Sequence, residues 1–126
     1  MPTSARFSKP ILAALRDDTI LRVRAGTTHR FTAVWVVVIE DRVLIRSWNE
    51  KPTGWRRAFA AEPNGMMQLR GGREVRVRAR PVKSERLLDA MDASYAEKYP
   101  TPASRQWVRG FAAPERRATT VELVPR

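Results

Sequence analysis

At 126 residues, with 43% hydrophobic and 29% charged side chains, the chain has the size and balance of one globular domain and lies far from the composition of a disordered polymer. It contains no cysteine, which excludes disulfides, thiolate metal centres and a cysteine nucleophile, and makes a cytoplasmic setting the simplest expectation. Twenty-four basic against 13 acidic side chains give a net charge of +11, so nucleic acids and phosphorylated small molecules enter as partners.

The first thirty residues show no basic-then-apolar leader, and the longest apolar run, Ala33 to Ile39, is far short of the ~20 residues of a membrane helix. No membrane insertion is expected. After a loose segment over residues 1–7, Ser8 and Pro10 open a short helix with Ile11, Leu12 and Leu15 on one side, ended by Asp17-Asp18. From Thr19 to Ala25 the residues alternate as in a half-exposed strand. In the run from Phe31 to Glu40, Trp35 to Ile39 are β-branched or aromatic with no polar gap, which predicts a strand buried on both faces at the centre of a sheet.

Asp41-Arg42 stands where a hairpin turn is needed, and Val43 to Trp48 resumes with Leu44, Arg46 and Trp48 on one face. Asn49 to Gly54 reads as a polar loop, and Trp55 to Ala61 as either a strand or one helical turn. Pro63-Asn64-Gly65 turns into a short strand, Met66 to Leu69. Gly71-Gly72 turns into another, Glu74 to Val82, where Val75, Val77 and Ala79 alternate with Arg76, Arg78 and Arg80. Ser84 to Tyr99 has a helical stripe of Leu87, Leu88, Met91, Tyr95 and Tyr99. Arg105 to Phe111 is ambiguous, and Ala118 to Val124 alternates as a closing strand.

Short antiparallel strands, two helices and a late strand free to pair with an early one describe a small barrel of the α+β kind. Within it there is no nucleophile elbow, no phosphate-cradling glycine loop and no HExxH pattern. The single histidine, His29, reads as an ordinary loop residue. His29-Arg30, Arg46-Ser47-Trp48 and Trp55-Arg56-Arg57 place guanidinium groups, a hydroxyl and indole rings at strand ends. This is equipment for holding a phosphate and covering an aromatic ring. Trp35 is expected in the core, whereas Trp48 and Trp55, flanked by polar residues, suit the core and a ring wall equally.

The arginine stripe from Arg70 to Arg86 has the charge to follow a nucleic-acid backbone, but no aromatic side chain interrupts it for stacking, and a solvated outer face is the favoured reading. Asp89 and Asp92, three apart on a helix, fit capping or ion pairing.

Several segments together resemble a known bacterial family, domain-of-unknown-function family 2255. They are Thr32 to Ile39, Leu44-Ile45-Arg46-Ser47-Trp48, Gly54-Trp55-Arg56-Arg57-Ala58, the Val-Arg alternation ending Pro81-Val82, Asp89 to Tyr95 with Lys98-Tyr99, and Ala118 to Pro125. That family is similar to the FMN-binding split-barrel superfamily, which includes pyridoxamine-phosphate oxidases and deazaflavin-dependent nitroreductases. The resemblance implies a six-stranded antiparallel split β-barrel with flanking helices, a homodimer, and FMN or 8-hydroxy-5-deazaflavin near the subunit interface. Arg30, Ser47, Trp55 and Ala61-Glu62-Pro63 follow one another in the nitroreductase order, although Ala25 to Arg30 replaces a Gly-Arg-Lys-Ser-Gly type turn.

The expected function is therefore cofactor binding, with a small oxidoreductase activity supplied by the cofactor. Arg46, Ser47, Arg56 and Arg57 would hold its phosphate, Arg30 would assist, and Trp48 or Trp55 would wall its ring. The alternatives are a basic binding module for nucleic acid, or a barrel that has kept only protein partners.

Overall fold

The computed structural model describes residues 6–48 and 54–126; most of the expected loose start and of the expected polar loop 49–54 lies outside the described residues. Among these, five helices and seven strands form an α+β domain. Helix α1 (Lys9–Asp17) carries Pro10 in its first turn, where a missing N–H is harmless, and buries Ile11, Leu12 and Leu15. Strand β1 (Leu21–Ala25) alternates as its sequence requires. Strands β2 (Thr32–Val34) and β3 (Val37–Ile39) follow, and β3 is joined to β4 (Arg42–Ile45) across Glu40 and Asp41. Both turn residues have positive φ, 53° and 62°, as a tight two-residue hairpin of the right twist demands.

Trp55–Ala61 resolves as helix α2, followed by strands β5 (Asn64–Gln68) and β6 (Glu74–Pro81). Helix α3 (Glu85–Lys98) starts at Ser84, whose hydroxyl accepts the Leu87 N–H. Helices α4 (Pro102–Phe111) and α5 (Pro114–Arg117) lead to β7 (Val121–Pro125). The sheet runs β2-β1-β5-β6-β7-β4-β3, and every pairing is antiparallel.

This order corrects two expectations. The strand count is seven rather than six, because the run from Phe31 to Glu40 is broken at Trp35-Val36. The run also lies at the two edges of the sheet and not at its centre, with β2 paired to β1 and β3 paired to β4. Only three Cα steps, at most about 11 Å, separate Val34 from Val37. The two edges are therefore close together, and the sheet curls into a half-barrel.

The apolar character of the run has a different origin from the one expected. Val34 and Val36 face the core inside the curl, with Leu15, Val23, Ile45, Phe59 and Met67. Trp35 and Val37 face a second core outside it, with Leu44, Leu88, Met91, Tyr95 and Phe111. Each face has its own apolar cover.

At the break, the Val36 backbone has no strand partner and is served by the end of α3. The Tyr99 hydroxyl accepts the Val36 N–H at 3.2 Å and donates to Thr19 O at 2.7 Å. Lys98 Nζ donates to Val36 O at 2.8 Å and to Leu15 O at 2.7 Å. A backbone pair that the sheet leaves open is thus satisfied from a helix.

Partial burial brings the Lys98 ammonium down to about 8, against the pull of Asp18 and Asp17, and burial pushes the Tyr99 phenol up to about 12. Between pH 8 and 10.5 the unfolded chain holds the Lys98 proton more firmly than the folded one, so stability rises with pH across that window. Above pH 10 the unfolded tyrosine ionises first, and stability falls. Urea midpoints are expected to increase from pH 7.5 to 9.5 in the wild type and to stay level in Lys98→Met; a level wild-type profile would contradict this assignment.

Candidate functional site

A cleft of about 610 Å³ opens beside the break, lined by Ile20, residues 32–35, Arg46, Ser47, Trp48, Gly54, Trp55, Trp107 and Phe111. The chain has four tryptophans, and all four line it. Three are braced by residues that do not line the cleft. Trp35 stacks on Tyr99 with ring centres 3.9 Å apart and planes 5° from parallel. The Arg116 guanidinium lies 3.6 Å over Trp48, and Trp55 meets Phe59 edge to face. Trp107 is different, since it touches Trp48 edge to face at 4.7 Å and is 42% exposed.

The elements explain this convergence. Trp48 follows β4 and Trp55 opens α2, so both stand at the rim of the half-barrel. Trp35 is presented by the strand break. Expected in the core, it packs half-buried against the second core and also forms part of the cleft wall, because the bend turns it away from the inner core. Trp107 comes from α4, which the sequence left ambiguous. The signal was there: Thr101 and Pro102 form a helix start, and a helix over this segment sets Trp107 and Phe111 four apart on one face.

Arg46 lies beneath the cleft floor and its side chain has no exposed surface. Nε donates to Thr120 Oγ1 at 2.8 Å. Nη1 donates to Asp92 Oδ1 at 2.6 Å and to Phe111 O at 2.8 Å, and Nη2 reaches Leu88 O at 3.4 Å. Most of its N–H donors are thus directed at α3, α4 and the start of β7. Asp92 also accepts from Arg117, which pairs with Asp89 at 2.9 Å and Glu85 at 3.0 Å. The acidic face of α3 is thus an ion-pair seam, as the spacing of Asp89 and Asp92 indicated.

Next to Arg46, the Tyr95 hydroxyl is buried without a hydrogen-bond partner among the described residues. Burial raises its pKa well above the ordinary phenol value, and the nearby Arg46 charge offsets this only in part. Below the cleft, in the second core, a neutral hydroxyl therefore lies near a paired guanidinium.

The remaining candidates divide. Ser47 is buried at the rim, its N–H donating to Thr119 Oγ1 at 2.9 Å. Arg30 lines an adjoining cleft of about 510 Å³ with Arg24, Thr28, His29, Phe31 and Ala58, and that cleft shares Thr32 and Trp55 with the first. Arg56 is half-buried and Arg57 exposed on α2, and neither lines either cleft. The structure thus brings Arg46, Ser47, Trp48 and Trp55 to one place and Arg30 to its neighbour. No group of three or more metal-ligating side chains occurs among the described residues, and none of their helices is long and apolar enough to cross a membrane.

Residues 12–123 match the model of a family described as "Uncharacterized protein conserved in bacteria (DUF2255)". No curated protein matches significantly. Among solved structures, a conserved hypothetical protein of Mycobacterium tuberculosis, Rv2991, is similar over 98% of this chain and 82% of its own, with a TM-score of 0.61 and 15% identity. At that identity the likeness is one of fold.

Proposed function

The chain belongs to the DUF2255 family of proteins conserved in bacteria, and from that premise we propose that the tryptophan cleft binds a planar phosphorylated cofactor, FMN or 8-hydroxy-5-deazaflavin, for a small oxidoreductase reaction. The observation that carries this reading is the convergence of all four indoles and Phe111 on one open cleft. Its volume falls within the ~300–1,000 Å³ usual for cofactor and small-molecule sites. Large flat walls, three of them fixed from behind, suit a fused-ring ligand and would keep water from its faces.

Phosphate recognition belongs, in this reading, to Arg30 in the adjoining cleft and to Ser47 at the rim. Arg56 and Arg57 on α2 are within the same end of the fold. Arg46 supports the site from below through Asp92, Leu88 and Phe111. When bound, a flavin or deazaflavin supplies hydride chemistry; the chain's part is position, charge and exclusion of water. A split-barrel homodimer is the assembly that goes with this proposal.

Trp107 gives a direct test, because it is the most exposed of the four and the least involved in packing. Trp107→Ala is expected to leave the melting temperature nearly unchanged and to weaken FMN or deazaflavin binding about tenfold, in keeping with the ~1–3 kcal/mol of an aromatic stacking contact. Equal affinities by isothermal titration would remove Trp107 from the site.

A further inference from the structure

The curl of the sheet divides its outer surface. Helix α3 covers the part made by β3 and β4, where Leu44 and Val37 are buried beneath Leu88 and Met91. The part made by β1, β5 and β6 presents its outward residues to solvent, and these are largely arginines. Arg22 and Arg24 project from β1, and Arg76, Arg78 and Arg80 from β6. Between them lies β5, whose outward residues Asn64, Met66 and Gln68 carry no charge. The register places Arg24 and Arg76 on either side of Met66, and Arg22 opposite Gln68. Arg126 adds a sixth cation beside Arg76, its N–H donating to Arg76 O at 3.4 Å.

Two carboxylates stand against these six. Glu122 is buried and shared by Arg80 and Arg42, and Glu74 holds Arg24 at 3.4 Å. Arg22 and Arg76 have no acidic partner among the described residues, and Arg78 reaches only the Asn64 amide. Along a strand, same-face residues recur every ~6.8 Å, and β1 and β6, with β5 between them, lie about 10 Å apart. The result is two rows of guanidinium groups on either side of uncharged β5, bridged at one end by the Arg24–Glu74 pair. Such crowding of like charge opposes folding, and a polyanion relieves it.

The geometry points to this face as a sequence-independent binding surface for a double-stranded nucleic acid, held through its phosphates. The two rows come from segments about 50 residues apart in sequence, so the stripe on β6 is only half of the surface. Guanidinium groups pair with phosphate oxygens in two-pronged fashion. The face has no free aromatic ring for stacking unpaired bases, because Phe31 lies under Arg24 at 4.5 Å, and this favours a duplex over a single strand. Its one large apolar side chain, Met66, is half-buried between the rows, and no exposed bulky apolar group stands out to enter a lipid surface. The inference is independent of the tryptophan cleft.

The test is fluorescence anisotropy with a labelled 20-base-pair duplex and its separate strands, from about 50 to 200 mM salt. Two triple variants are compared with the wild type. One is Arg22→Gln with Arg76→Gln and Arg78→Gln; the other, Lys9→Gln with Arg105→Gln and Arg109→Gln, removes the same charge from α1 and α4. The face variant is expected to lose at least tenfold in duplex affinity, with a salt slope shallower by about 3, near 0.9 for each lost phosphate contact. The second variant should follow the wild type, and duplex should bind more tightly than single strands.

Equal weakening by both variants would overturn the proposal, as would a wild-type affinity that does not change with salt. So would sedimentation with phosphatidylserine vesicles in the absence of duplex binding. FMN titration of the face variant keeps the two proposals apart, since its cofactor affinity is expected to equal that of the wild type whether or not the duplex binds.

Discussion

Arg46→Met is expected to destabilise the domain by about 3–5 kcal/mol, the cost of breaking a buried ion pair from one side. The arginine ties the end of β4 to α3, α4 and the start of β7, and its removal strands several groups at once. Asp92 would keep Arg117 but lose the 2.6 Å contact with Arg46. Phe111 O and Thr120 Oγ1 would lose their Arg46 donors in a buried setting, and unmatched buried acceptors are what make such truncations costly. The methylene stem of methionine replaces part of the packing, so the loss reports mainly the guanidinium. Urea denaturation followed by tryptophan emission measures it. A loss below about 1 kcal/mol, with cofactor affinity selectively abolished, would return Arg46 to the ligand set.

Gly65→Ala should be nearly as damaging, for steric reasons. A Cβ at Gly65 would stand 2.2 Å from Arg24 O, 3.0 Å from Ala25 Cα and 2.8 Å from the Phe59 ring. Two of those contacts are with the main chain of β1, which is paired to β5 through Ala25 and Gly65, so no side-chain rotation relieves them. Strand separation or displacement of α2 is required. The expected cost is at the upper end of the ~1–3 kcal/mol seen for overpacked cores, read as a fall in urea midpoint. Phe59→Leu in the Gly65→Ala background should recover only a minor part, because the contact with Arg24 O remains. Full recovery would show that the ring, and not the strand, sets the limit.

Much of this architecture was legible from local pattern. The alternation read over Thr19 to Ala25 and over Glu74 to Val82, and the cap and stripe of α3, depend on neighbours in sequence, and strands and a helix formed within those segments, while the turn expected at Asp41-Arg42 lies one residue earlier, at Glu40-Asp41. What could not be read was the break at Trp35-Val36. Its cause is a helix end some sixty residues away, where Lys98 and Tyr99 supply the hydrogen bonds that a continuous strand would have taken from its neighbours. The division of Val34 to Val37 between two cores has the same non-local origin.

The site was half legible for a similar reason. Trp48 and Trp55 stood out through polar flanks, and both line the cleft. Arg46, beside serine and tryptophan at a strand end, reads as a phosphate ligand, and nothing adjacent in sequence shows the partners that α3, α4 and the start of β7 bring to it. The alternation nevertheless held the answer, since it set Arg46 on the same face as Leu44, the face that α3 covers with Leu88 and Asp92. Arg30 reaches its place only through the curl that sets the two clefts side by side across Thr32 and Trp55.

The most direct test of the central claim is an equilibrium titration of the protein with FMN and, separately, with 8-hydroxy-5-deazaflavin, followed by quenching of tryptophan emission. With all four indoles on the cleft, one saturable transition that quenches most of the emission is predicted for at least one cofactor within the ~1 μM–1 mM range. It should weaken in Trp107→Ala and persist in the arginine-face variant. Emission that falls only in proportion to the light absorbed by free cofactor, for both compounds up to about 1 mM, would contradict the account and leave the cleft without the proposed ligand.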